Sequence, residues 1–375
     1  MNRRSFWTCA IFYFFIAFEF FYMAGPFAIY VYSIYGPGLS FVNESTLLAW
    51  LCSMFLPHIV IETSSFLVNL HNVVGIVLMV IGLSAFCISA GQVYYHKISQ
   101  KGIVTRGIYN FIRHTQYSSL IICSFGLLLL WPRYIVLLSF IAMFFAYYFL
   151  AKVEEDECED KYGESYREYR KRTCMFLPFH ISFLDKLPSL PKSGLKRYLA
   201  IILFYVVTSA AAIGWATGLE SWSLNSLYGL YFKDAAYISV IKVEENTLKQ
   251  IVNIASANAE VQMRLATDSI EPGAKFINYV LPVELYVSEI PMKKDEGVEG
   301  HHFLPKNYSG SLFKIIFTKA ETRTKQKVEG KAILLNTLKQ VPVLEVRIDL
   351  IQNRIMEILN PSTEMNYENI PMPVY

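Results

Sequence analysis

Charged residues are scarce in this 375-residue chain: Asp, Glu, Lys and Arg make up 17% of it, against 54% hydrophobic and 15% aromatic residues. With a mean hydropathy of +0.33, this composition lies outside the soluble range and predicts a multi-pass membrane protein. The net charge of +3 is too small to indicate a nucleic-acid partner. The basic residues lie beside hydrophobic segments, where they act as orientation signals.

Paired cysteines, repeats and low-complexity tracts are also missing. Because the spacing of the cysteines is irregular and contains no CxxC pair, the sequence indicates neither a disulfide framework nor a zinc site. The first apolar run, after Arg3-Arg4, is too long for a signal peptide and lacks an A-x-A end, so we expect an uncleaved spanning helix. We interpret the cysteines as packing residues: Cys9, Cys52, Cys87, Cys123, Cys158 and Cys174.

The first 217 residues contain several long hydrophobic runs. A spanning helix needs about 20 apolar residues, and five runs meet or approach that length if one pair is counted as a helical hairpin. Residues 47–61 form a further run that contains Pro57-His58 and covers only about two-thirds of a ~30 Å core. We therefore predict an α-helical integral membrane protein with about five spanning helices plus one short, tilted or re-entrant helix. The five runs are residues 6–32, 73–94, 117–131 with 133–151 as the hairpin, and 198–215.

Residues 218–375 are different and predict a soluble α+β domain. Their β-rich runs alternate with a helical stretch at 244–265 and a second near 349–359. A turn at residues 297–302 contains His301-His302, but without further ligands at a recognisable spacing we interpret it as a solvated loop and predict no metal site. The chain thus divides into a membrane domain at 1–217 and a soluble domain at 218–375. The β-rich runs are 237–243, 276–286, 311–318 and 341–348.

The distribution of basic residues predicts the topology. Arg3-Arg4, the loop at 97–113 and the region 167–197 should all be cytoplasmic under the positive-inside rule. This arrangement needs an even number of crossings between residues 4 and 97. The helix at 198–215 then places residues 218–375 on the opposite side of the membrane, whether that is a plasma or inner membrane or the endoplasmic reticulum.

Polar groups at one membrane edge are the candidate site. If residues 109–117 are helical, Tyr109, Arg113 and Tyr117 share one face, with His114 adjoining. The hairpin then returns the chain to Glu154-Glu155 on the same side, so that carboxylates and cations meet at one interface. The alternative is that Arg113 and His114 are interfacial anchors and that the acidic run is a solvated helix face.

An ordered motif runs through this region. The pattern G-[IV]-V-T-x-G-x-Y-x-x-x-R-H-x-x-Y, then a hydrophobic hairpin, E-E, [FY]-G-x-x-Y-x-x-Y and L-P, resembles the isoprenylcysteine carboxyl methyltransferases and the related phospholipid N-methyltransferases. The resemblance covers about residues 70–180. In this chain the pattern is carried by Gly102 to Thr105, Gly107, Tyr109, Arg113-His114, Tyr117, Glu154-Glu155, Tyr162-Gly163, Tyr166, Tyr169 and Leu177-Pro178.

The resemblance implies a membrane methyltransferase with S-adenosylmethionine as cofactor and an acceptor from the bilayer, such as an isoprenylcysteine carboxylate or a lipid headgroup. Arg113, His114 and Tyr117 would hold the charged amino-acid end of the cofactor. Glu154 and Glu155 would lie at the cofactor or acceptor as the catalytic candidates.

Three further residues, Tyr109, Tyr166 and Arg170, are candidate cofactor contacts. The alternative is that the tyrosines pack at the membrane edge and that Arg170 contacts lipid headgroups.

The chain departs from the family pattern in three places. Thr115 follows Arg-His where the family usually has proline, and Ser119 stands where glycine is common. Ser124-Phe125-Gly126 does not reproduce the Gly-x-Gly of the phospholipid branch, which favours the isoprenylcysteine side. Residues 218–375 have no counterpart in the family, and their partner is unknown. Two alternatives stay open: an NADPH-dependent reductase of the sterol-reductase type, and a non-catalytic membrane anchor that presents a binding domain.

Overall fold

A computed structural model describes residues 3–36, 38–99, 101, 104–179, 194–268, 274–293, 304–306, 308–323, 328–360 and 371–375. These residues form ten α-helices and six β-strands. In chain order they are α1 (Arg3–Tyr35), α2 (Gly38–Glu44), α3 (Phe66–Ile98), α4 (Thr115–Leu130), α5 (Tyr134–Tyr162), α6 (Glu164–Arg172), α7 (Leu195–Ser226), β1 (Gly229–Tyr231), β2 (Ala235–Ser239), α8 (Glu245–Ser256), α9 (Ala259–Asp268), β3 (Lys275–Pro282), β4 (Leu312–Thr322), α10 (Ala332–Asn336), β5 (Thr337–Asp349) and β6 (Arg354–Leu359).

The chain contacts define two compact units. The helical unit comprises Met1–Ile34, Asn72–Trp131 and Ile135–Gly214. The sheet unit comprises Tyr35–His71, Pro132–Tyr134 and Trp215–Tyr375. The predicted domain division at residues 217 and 218 stays a prediction, because the sheet unit also takes two earlier pieces of chain.

Three of the described helices, α3, α5 and α7, are long and apolar enough to cross a membrane. The predicted apolar runs at 73–94, 133–151 and 198–215 thus lie in helices that can span. Helix α4 is apolar but shorter, with 16 residues, or about 24 Å at ~1.5 Å rise per residue. Helix α1 has 33 residues and includes Pro26. The total of five crossings therefore stays a prediction.

Small residues bring α3 and α4 into close contact within the helical unit. A Cβ atom on Gly82 would lie within 3.0 Å of the backbones of Ser119 and Cys123, and one on Gly126 would meet the backbone of Met79 in the same way. Such close backbone approach is how helices associate where lipid removes the hydrophobic driving force. Helix α4 is thereby held against α3, and its first turn carries part of the site.

The sheet unit contains one six-stranded sheet in the order β1-β2-β3-β4-β5-β6. All neighbours are antiparallel except β2 and β3, which are parallel because α8 and α9 form the crossover between them. The predicted strands are confirmed. The predicted helix at 349–359 is wrong: Asp349 Oδ1 accepts hydrogen bonds from the amides of Ile351 and Gln352, and this side-chain-stabilised turn leads into β6.

The run at 47–61 is also not the predicted short or re-entrant helix. Apart from a four-residue 3₁₀ turn at Ala49–Cys52, it is irregular and largely buried. Its amides are paired within the sheet unit, since His58 N donates to Tyr375 O at 2.9 Å and Ile61 N donates to Val240 O at 2.8 Å. Ile59 and Val60 belong to the core of that unit. The apolar residues of this run are therefore part of a protein core.

Candidate functional site

The chain that enters the site is a loop and not a helix. A 3₁₀ turn spans Gly107–Asn110, and α4 begins at Thr115, so the predicted helix through 109–117 is wrong. The reason is tertiary pairing: the amides of Arg113 and His114 donate to the carbonyls of Cys174 and Met175 at 2.9 and 3.2 Å. A helix would have directed those amides to its own preceding turn. Gly102 and Ile103, at the start of the motif, lie outside the described residues.

Arg113 and Glu155 form the buried centre of the site. Nε and Nη2 of Arg113 both donate to Glu155 Oε1, at 2.9 and 2.7 Å. Nη1 donates to the carbonyls of Arg170, at 3.2 Å, and Thr173. The Glu155 side chain is 1% exposed. A carboxylate at this depth is stabilised only by such charge-assisted bonds, and the structure thus brings together the cation and the carboxylate that the hairpin argument placed at one interface.

His114, Tyr117 and Glu154 form a cluster next to the buried pair. His114 Nδ1 lies 3.4 Å from Glu154 Oε2, and its Nε2 lies 3.5 Å from Glu155 Oε1. The Tyr117 hydroxyl donates to Glu154 Oε1. The His114 and Tyr117 rings are parallel, with centroids 5.8 Å apart, and Tyr147 on α5 stacks on Tyr117 at 4.8 Å. Glu154 is therefore oriented by two groups from the start of α4.

The two carboxylates determine the charge of His114. Burial by itself would lower the pKa of the imidazole, but the hydrogen bonds and negative charges of Glu154 and Glu155 outweigh it and raise the pKa. The imidazolium form is thus more favoured at His114 than in an exposed histidine, beside the buried Glu155.

The tyrosines of α6 and of the loop before α4 are packed against neighbouring residues. Tyr109 and Tyr166 are both buried, and burial raises the pKa of each phenol. The Tyr109 hydroxyl donates to the carbonyl of Ser89 on α3 at 3.4 Å, and Tyr169 donates to the Tyr109 carbonyl at 2.6 Å. These contacts join the loop to α3 and α6. Tyr109 therefore does not share a helical face with Arg113 and Tyr117.

Three charged side chains border the buried pair and remain accessible. Lys152 Nζ lies 3.2 Å from Glu155 Oε2, and Arg170 Nε lies 4.0 Å from the same oxygen. The side chains of Glu154, Lys152 and Arg170 are 44%, 41% and 42% exposed. Lys152 was not among the predicted site residues, although its position three residues before Glu155 on α5 places both on one helix face.

Buried polar atoms without a hydrogen-bond partner among the described residues occur beside the loop. They are Gln92 Oε1 and His96 Nδ1 on α3, and Gln116 Nε2 on α4. No sequence motif marks these positions. A buried polar atom left unpaired is costly. In the described part of the chain, no group of three or more His, Cys, Asp or Glu is placed to hold a metal ion.

Comparison with known protein families gives a match over part of the chain. Residues 52–165 match the family model described as phospholipid methyltransferase. The matched range contains Arg113, His114, Tyr117, Glu154 and Glu155 and ends just before α6 contributes Tyr166 and Arg170. No curated protein and no solved structure is significantly similar to this chain.

Proposed function

We propose that this chain, whose residues 52–165 belong to the phospholipid methyltransferase family of membrane methyltransferases, transfers a methyl group from S-adenosylmethionine to a lipophilic acceptor. The acceptor is an isoprenylcysteine carboxylate or a lipid headgroup. The observation that carries the proposal is the buried Arg113–Glu155 pair with its accessible charged border at the end of an apolar helical hairpin.

The residues at this border suit the amino-acid end of the cofactor, which bears both an ammonium and a carboxylate. Glu154 is accessible and can accept hydrogen bonds from the ammonium. Lys152 and Arg170 are equally accessible and can pair with the carboxylate. Acceptors and donors therefore occur side by side, as a zwitterionic ligand needs.

Arg113 has a different role in this proposal from the one that the resemblance implies. Its Nε, Nη1 and Nη2 all donate to Glu155 or to backbone carbonyls. Little of its donor capacity is left for a ligand carboxylate. We therefore assign Arg113 as a positioning residue that holds Glu155 and the loop, and assign the carboxylate to Lys152 and Arg170.

The cofactor supplies a methyl group on a positively charged sulfur, and its transfer needs alignment with the acceptor and exclusion of water. The stacked rings of His114, Tyr117 and Tyr147 lead from the charged border into the apolar hairpin. If the acceptor is an amine, Glu154 accepts its proton; a carboxylate acceptor needs no proton removal.

The topology that we propose places the 104–114 loop in the cytoplasm, where the cofactor is made, and residues 218–375 on the opposite side. The composition of the sheet unit supports it: the unit includes Tyr35–His71, the hairpin turn Pro132–Tyr134 and the chain from Trp215 onward. The predicted crossings put all three pieces on one side of the membrane.

The test is cofactor binding and methyl transfer by the purified protein in lipid nanodiscs. We expect saturable binding of radiolabelled S-adenosylmethionine, and label transfer to either a farnesylcysteine derivative or phosphatidylethanolamine. Glu154→Gln should lower transfer by at least ~10-fold, whereas Glu157→Gln, on the exposed side of α5, should leave it unchanged. Binding of NADPH in place of S-adenosylmethionine would identify a reductase instead, and binding of neither would identify a non-catalytic anchor.

A further inference from the structure

A small cavity lies within the sheet unit. Its volume is about 30 Å³, and at ~10–15 Å³ for each water-sized group it has room for about two oxygen atoms. Among the described residues of its lining, the charged side chains are Arg323 and Glu220, and polar side chains come from Asn43 and Ser53. The cavity therefore suits a small polar or charged group.

Arg323 has donor capacity that the described residues leave unused. Its Nη2 donates to the Ser53 hydroxyl at 2.7 Å, and its Nε is buried without a partner in the described part of the chain. Burial lowers the pKa of this guanidinium, because the charged form loses solvation. Glu220, by contrast, accepts a hydrogen bond from the Tyr134 hydroxyl at 2.9 Å. A guanidinium has five N–H donors and binds paired anionic oxygens well, so Arg323 favours an anionic ligand.

Part of the sheet unit near the cavity lining is apolar and exposed. Phe41 and Leu47 are 74% and 80% exposed, and they lie in the same segment of chain as Asn43 of the lining. Leu335, which itself lines the cavity, is also exposed. The segment follows the predicted span at 6–32 closely, and apolar side chains exposed there favour insertion at the headgroup level of the bilayer. The source of the anion is therefore a membrane lipid.

We propose that this cavity binds the phosphodiester of a membrane phospholipid, with Arg323 as the binding cation. A phosphodiester presents two non-bridging anionic oxygens, which match the size of the cavity. A fatty-acid carboxylate shares this chemistry, but phosphodiesters make up the headgroup level where the apolar segment inserts. The cavity belongs to the sheet unit, whereas Arg113 and Glu155 belong to the helical unit. The inference thus goes beyond the proposed function and does not depend on it.

The experiment is native mass spectrometry of the full-length protein in detergent, titrated with dioctanoylphosphatidylglycerol. The control ligand is dioctanoylglycerol, which has the same acyl chains and no phosphodiester. We expect Arg323→Met to weaken binding of the phospholipid by about 10-fold or more, because charge-assisted hydrogen bonds are lost, and to leave binding of dioctanoylglycerol unchanged. Arg354→Met, at an exposed arginine of the same sheet, is the matched control and should bind both lipids like the wild type.

Leu335→Glu provides a second variant if Arg323→Met does not fold, because this position is exposed. Its added carboxylate should weaken phospholipid binding by about 10-fold through repulsion, whereas Leu335→Gln, similar in shape and uncharged, should not. A wild-type protein that binds both lipids equally overturns the site. So does unchanged phospholipid affinity in Arg323→Met or, if that variant does not fold, in Leu335→Glu. Octanoate binding that depends on Arg323, beside phospholipid binding that does not, overturns the phospholipid and identifies a carboxylate ligand. All of these results leave the proposed methyl transfer standing.

Discussion

Arg113 donates two hydrogen bonds to a single oxygen of Glu155, across 42 residues of sequence. The second oxygen of Glu155 is then left for Lys152 and Arg170. This ion pair thereby connects the loop before α4 to the C-terminal part of α5. The consequences of this pair and of its neighbours are testable.

Removal of one partner of the buried pair should destabilise the protein strongly. Arg113→Met leaves the Glu155 carboxylate buried without its main partner, at a cost of about 3–5 kcal/mol. The double variant Arg113→Met with Glu155→Met should recover part of this loss, because both charges are then gone. Denaturant unfolding in detergent measures the free energies of unfolding of Arg113→Met, Glu155→Met and the double variant, each relative to the wild type. A double variant as unstable as the sum of the single changes would show that the pair is not coupled.

Glu154 should matter for function and little for stability. Its side chain is 44% exposed, so Glu154→Gln should change the free energy of unfolding by less than about 1 kcal/mol. Cofactor affinity or methyl transfer should nevertheless fall by at least ~10-fold. Unfolding curves and transfer assays on the same preparation separate the two effects. If stability and transfer fall together, Glu154 is a structural residue.

His114 should make stability depend on pH in a defined direction. Its pKa is raised in the folded protein above the unfolded value of about 6.5. Its stabilising contribution is therefore fully present below about pH 6.5 and is lost as the pH rises through the folded pKa. The difference in unfolding free energy between wild type and His114→Gln should be largest at about pH 5.5 and should shrink toward about pH 9. A difference that grows with pH contradicts the assignment.

The contact between α3 and α4 should tolerate no side chain at Gly82. Because a Cβ there would meet the backbones of Ser119 and Cys123 within 3.0 Å, Gly82→Ala should cost about 1–3 kcal/mol. Gly91→Ala is the matched control on the same helix, since nothing lies within 4 Å of that position. It should be neutral or stabilising by up to about 1 kcal/mol. Melting temperatures in detergent check both variants, and equal behaviour would rule out the tight packing.

The proposed topology predicts opposite labelling of two positions. Ile351 is 83% exposed at the β5–β6 turn, and Lys101 is exposed beside the loop. With the native cysteines removed, Ile351→Cys should react with an impermeant reagent on the side away from the cytoplasm. Lys101→Cys should react only when the reagent reaches the cytoplasm. The reverse pattern, or labelling of both from one side, would invert or reject the topology.

Local information in the sequence was enough for several features. Hydrophobicity and length predict α3, α5 and α7, because a spanning helix must satisfy its backbone internally and therefore needs a long apolar run. Alternating apolar residues predict the strands β2 to β5. The hairpin also brings Arg113 near Glu155, since two antiparallel arms of similar length return the chain to the side from which it left.

Tertiary contacts determined the rest. The chain is not helical at Arg113 and His114 because their amides pair with the carbonyls of Cys174 and Met175, more than 50 positions away, and no local pattern encodes that pairing. The run at 47–61 has the hydrophobicity of a membrane segment but is buried in the core of the sheet unit, because apolar surface gains equally from either environment. Adjacent glutamates look alike in sequence. Only the packing of α5 against the loop buries Glu155 and leaves Glu154 accessible, since neighbouring residues on a helix point about 100° apart.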